Sequence, residues 1–275
     1  MNRIFILALI SLALGGCIKK GTDYSALSKD AALSQSITSD VFKTIDNEAK
    51  NGNYSSTVGK TDGTYQSQVD TCATITLNTN GGNFPMTLTL DFGSGCTDVY
   101  GVNRKGKLIC TFSGRYTQQG SVITVTTDNY YVNGYKVEGT KTITNSGRNS
   151  DNKMYFTVVD QDGKITHPDG KVSTWTSNYT QTWIAGEGTT GLFGICDDTY
   201  SFDGTVQGVA VTGDSYRLQS SSPLIKNACC YWVSGGVIDI YVNNSMVASV
   251  NYGDGNCDAT ATVTYGGKDY VVYIQ

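Results

Sequence analysis

From residue 65 onward the chain alternates apolar with small polar residues, and this period of two constrains its fold more than any other feature. "ATITLNT" (73–79), "MTLTLDF" (86–92), "KLICTFSG" (107–114), "VITVTTDNYYV" (122–132) and "YKVEGTKTIT" (135–144) each put apolar side chains on one strand face and short polar ones on the other. Asn133-Gly134, Asp162-Gly163, Asp169-Gly170 and Gly266-Gly267 stand between such runs and offer the positive φ that two-residue hairpins require. Short hairpins join antiparallel neighbours and leave no room for crossover helices. The expected fold is all-β: one domain over 65–275, an antiparallel meander forming a large sheet, barrel or sandwich. The 32 glycines, 18 tyrosines and only three prolines suit strands and tight turns.

The N-terminus reads differently. Met1-Asn2-Arg3 is a short basic start, Ile4 to Leu14 is apolar, and small residues follow, the order of a secretory signal. The apolar run is shorter than the roughly 20 residues that a spanning helix needs. Leu14-Gly15-Gly16-Cys17 resembles the bacterial lipobox, in which the cysteine is acylated and becomes the first residue after cleavage. Residues 1–16 are thus expected to be removed and Cys17 to carry the lipid. Several acyl chains hold a protein on a membrane far better than one does. Residues 17–31 read as the acylated cysteine and a polar tether. Over 32–51, Leu33, Ile37, Val41, Ile45 and Ala49 recur every fourth position, which predicts one amphipathic helix.

Two segments repeat. "LTLDFGSGCTD" (88–98) and "ASVNYGDGNCD" (248–258) share an apolar strand, Asp or Asn, an aromatic, Gly-x-Gly and a cysteine followed by an acid or a residue from one. A further cysteine precedes each, Cys72 and Cys230, so the repeat predicts disulfides Cys72–Cys96 and Cys230–Cys257, each contributing about 3 kcal/mol in the chain-entropy model. Export supplies the oxidising compartment. Adjacent cysteines in a strand point to opposite faces, which leaves Cys229 for another partner such as Cys196. Cys110, inside a strand, reads as a buried apolar thiol.

The ensemble "LDFGSGCTDVYGVNRKGKL", "DNYYVNGYKVEGTKTITN", "ITHPDGKVSTW" with "QTWIAGEG", and "CYWVSGGVIDI" with "NYGDGNCD" resembles a family of uncharacterised cell-envelope lipoproteins of Bacteroidetes-type bacteria. The resemblance spans about residues 70–272. It implies a lipid-anchored envelope protein, at the outer membrane, and brings no activity with it.

Chemistry-bearing motifs are few. His167 is the single histidine and sits in the turn "ITHPDG", a poor base for nucleophilic catalysis. Asp91, Glu138, Glu187, Asp197 and Asp198 are the carboxylates from which an envelope hydrolase would draw a pair. Asp160, Asp162 and Asp169 partly match a calcium loop, but no helices flank them, and a hairpin turn at "VVDQDGKIT" explains them better; no metal or other cofactor is expected. A net charge of −4 without a basic tract argues against a nucleic-acid partner. In "KVSTWTSNYTQTWIAG" (171–186), Trp175, Tyr179 and Trp183 share one strand face at a spacing of about 13 Å. They make a possible glycan platform, although their polar opposite face, Val172 to Thr182, favours their burial. The leading expectation is a non-enzymatic binding or structural lipoprotein that contacts the membrane through its lipid and a glycan or envelope protein through its sheet. Its rivals are a lipocalin-like carrier of a small apolar ligand and the hydrolase.

Overall fold

The computed structural model describes residues 63–66, 72–98, 101–189, 194–230 and 232–273. The signal segment, Cys17, the tether and the helix expected over 32–51 lie outside the described residues.

Fifteen strands form one antiparallel sheet. They are β1 (Gly63–Gln66), β2 (Thr74–Asn78), β3 (Met86–Asp91), β4 (Cys96–Thr97), β5 (Asn103–Phe112), β6 (Val122–Val132), β7 (Tyr135–Arg148), β8 (Met154–Thr166), β9 (Val172–Ala185), β10 (Thr199–Val209), β11 (Ser215–Asn227), β12 (Gly235–Val242), β13 (Ser245–Asp254), β14 (Thr260–Tyr265) and β15 (Lys268–Tyr273). Consecutive strands pair throughout, except that the short β4 pairs with β5 alone and β3 pairs directly with β5. β1 and β15 each have one neighbour, so the sheet is open: of the three expected architectures, the large sheet is the one found, and the barrel and sandwich are not.

The turns divide into two kinds. Asn133-Gly134 and Gly266-Gly267 close two-residue hairpins, joining Val132 to Tyr135 and Tyr265 to Lys268, with φ positive at all four residues. Asn243-Asn244 does the same between β12 and β13, with φ of 47° and 67°. Asp162-Gly163 is not a turn. The pairing of β8 with β9 skips Gln161 and Asp162, so the expected hairpin is a bulge inside a continuous strand, and the chain reverses later, between His167 and Lys171.

The period of two separates the faces. Thr87, Thr111, Thr124 and Thr142 are successive cross-strand partners on the solvated face. On the other face Leu77, Leu88, Cys110 and Val125 are successive partners and all are buried. The largest apolar cluster runs from Ala73 to Tyr200, a second joins β10–β12 and a third joins β13 and β14. Burial pushes the Cys110 thiol up to about 12, so it stays protonated and inert at neutral pH.

Disulfides staple both ends of the strands. Cys72–Cys96 closes the open end of the β2–β3 hairpin, and Cys230–Cys257 closes that of β12–β13. The sequence repeat therefore has a common structure. Asp91 Oδ1 accepts from the Gly93 amide at 2.8 Å and Asn251 Oδ1 from the Gly253 amide at 2.9 Å, the same turn leading to each second cysteine. Cys196–Cys229 adds a third bridge. Because Cys229 and Cys230 are adjacent, one dipeptide ties the β9–β10, β11–β12 and β13–β14 connections together.

Candidate functional site

The row of partners on the buried face changes chemistry at its centre. Val125 on β6 faces Lys141 on β7, which faces Asp160 on β8, which faces Ser177 on β9, and the row continues as Val206, Leu218 and Ile240. Three polar residues thus interrupt an apolar line. Lys141 Nζ lies 2.8 Å from Asp160 Oδ1, with side-chain exposures of 5% and 6%. The two side chains form a close, buried ion pair. Ser177 Oγ donates to the other oxygen, Oδ2. The Tyr179 ring centre is 5.7 Å from Nζ. Removal from water pulls the Lys141 pKa down, opposed by Asp160, and holds the Tyr179 phenol well above its usual range, with Asp160 adding to the effect. A cavity of about 30 Å³ adjoins the pair, room for one water.

The tryptophan stripe lies on the buried face, the side that its polar opposite face favoured, and is not an exposed glycan platform. Trp175 and Trp183 are 6% and 7% exposed, and Tyr179 is half-buried among apolar neighbours. A glycine explains the first: a Cβ at Gly163 would come within 2.4 Å of Trp175 Cδ2 and Cε2, so the indole lies over the bare backbone of the neighbouring strand. Trp183 donates its Nε1 hydrogen to buried Asp198 at 2.9 Å and packs on Tyr200 at 5.8 Å. Gly163→Ala is expected to lower stability by about 1–3 kcal/mol through overpacking, read as a fall in the chemical denaturation midpoint.

The solvated face carries a different feature. A groove of about 610 Å³ crosses β8 to β12, lined by Lys164, Thr174, Thr176, Gln207, Arg217 and Tyr241 among others. Thr176, Gln207, Arg217 and Tyr241 are successive cross-strand partners, so one line of the sheet supplies much of the wall. The Arg217 guanidinium stacks 3.8 Å from the Tyr241 ring centre and donates to Gln219. Beneath it, a Cβ at Gly208 would stand 1.9 Å from the Thr174 carbonyl oxygen and 2.8 Å from the Tyr216 hydroxyl. Glycine there permits the close approach of Thr174 and Tyr216 on the neighbouring strands.

The carboxylates proposed for hydrolysis have separate partners. Asp91 is held low by the Gly93 amide and Lys107, Glu138 by Lys164 and Lys136. Glu187 pairs with Arg148, Asp197 accepts from Thr189, and Asp198 from Trp183. His167 contacts Ser173 at 3.2 Å and packs edge-on against Tyr135. The partial calcium loop is dispersed as well: Asp160 is buried against Lys141, Asp162 lies in the bulge and Asp169 pairs with Lys171. Among the described residues no three His, Cys, Asp or Glu side chains group as a metal site.

Neither the Lys141–Asp160–Ser177 row nor the groove was singled out in the sequence. A signal for the first was present, since Lys141 is in phase with Val137 and Ile143, and Asp160 with Phe156 and Val158. The groove had none, because it gathers residues from five strands.

These features define a class: an open antiparallel β sheet, stapled by three disulfides, with a polar row in its core and a groove on its solvated face. Comparison with protein-family models, curated proteins and solved structures finds no match.

Proposed function

We propose that the chain is a lipid-anchored protein of the cell envelope, held at the outer membrane through Cys17, with a non-enzymatic binding role exercised on the solvated face of its sheet. The lipobox-like "LALGGC", the lipoprotein resemblance and three disulfides support the compartment. The groove across β8–β12 carries the binding reading. Its volume of about 610 Å³ falls within the range of small-molecule sites, and hydroxyl, amide and guanidinium groups beside the aromatic residues Trp175, Tyr216 and Tyr241 suit a hydroxyl-rich glycan.

Titration of the full-length protein in detergent with soluble polysaccharides tests this reading. A glycan should bind, and Gln207→Ala/Tyr241→Ala should weaken it tenfold or more, about 1.4 kcal/mol. Failure of every glycan to bind, or binding indifferent to that variant, would refute it.

A further inference from the structure

We propose that Lys141 and Asp160 condense to an intramolecular amide, Nζ of Lys141 to Cγ of Asp160, forming a covalent rung between β7 and β8. The two residues face each other directly in the register, and Nζ is 2.8 Å from Oδ1 in a site where both side chains are more than nine-tenths buried. Ser177 is placed on the far oxygen, Oδ2.

The chemistry balances without an outside reagent. The ammonium passes one proton to Oδ1, and the free amine attacks Cγ. Charge gathers on Oδ2, where the Ser177 hydroxyl donates. A second proton moves from nitrogen to Oδ1, the Cγ–Oδ1 bond breaks, and Oδ1 departs as water while Oδ2 reforms the carbonyl. One N–C bond replaces one C–O bond and nothing is oxidised or reduced. The adjoining cavity of about 30 Å³, lined by Val125, Gly139, Gln161 and Trp175 beside the pair, has room for the water released.

Burial favours the product. Two charges removed from water carry a desolvation penalty that their attraction need not repay, whereas an amide is neutral. The same burial lowers the lysine pKa and brings the nucleophilic free amine within reach. The rung is tested independently of the groove reading, because its readout is a peptide mass and not binding.

Mass spectrometry of tryptic fragments from the reduced full-length protein tests it. The bond blocks cleavage after Lys141 and yields a branched peptide of residues 137–148 and 154–164, lighter than the sum of its two parts by one water. In Lys141→Met the branched species should vanish and residues 154–164 appear as a linear peptide. Recovery from the parent protein of a peptide ending at Lys141, together with linear 154–164 at its full mass, would overturn the proposal.

Discussion

Asp160→Ala is expected to destabilise the protein by about 3–5 kcal/mol, because it leaves the Lys141 amino group buried without the partner, ion-paired or amide-bonded, that the parent gives it. Ser177→Ala should cost less, about 0.5–3 kcal/mol, the range for one hydrogen bond to Oδ2 from amide carbonyl to carboxylate. Lys141→Met/Asp160→Leu should lie closer to the parent than Asp160→Ala does, since apolar side chains would continue the line from Val125 to Val206. Urea unfolding followed by circular dichroism measures all three. A midpoint for Asp160→Ala equal to the parent's would show that the pair is not buried as described.

The second large effect concerns the adjacent cysteines. Cys229→Ser/Cys230→Ser removes two bridges at once, Cys196–Cys229 and Cys230–Cys257, and each is expected to contribute about 2–5 kcal/mol. Cys196→Ser/Cys229→Ser removes one and should lose roughly half as much. Denaturation midpoints compared under oxidising conditions read the difference. Equal midpoints for the two double variants would mean that Cys230–Cys257 contributes nothing.

The sequence made the fold class legible because an alternating strand with one buried face prints its register into the chain. β6 runs from Val122 to Val132, the limits that alternation predicts. Asn133-Gly134 marks its turn by backbone preference alone, whereas Asp162-Gly163 uses the same preference for a bulge, and only pairing with β9 distinguishes them. The repeat led to two disulfides since its Asx turn and paired glycines are local chemistry. Closure was not legible, because nothing local tells β1 and β15 whether they meet.

The sites were less legible for a related reason. Trp175 has the spacing of an exposed platform or of a core stripe, and the deciding residue, Gly163, lies on another strand. The groove depends on Thr176, Gln207, Arg217 and Tyr241 coming into line, a property of register across four strands. Lys141 and Asp160 each break an apolar phase, and together they mark a buried polar row.

The sheet has one largely buried face, which holds Trp175 and Trp183, and one solvated face, which we propose binds the glycan. Acrylamide quenching of tryptophan fluorescence tests it most directly, on full-length protein carrying Trp232→Phe so that the emission comes from Trp175 and Trp183. The burial of Trp175 and Trp183 predicts weak quenching of the folded protein that rises on unfolding. Strong quenching of the folded protein, relieved by a glycan, would contradict it and return the binding surface to the stripe.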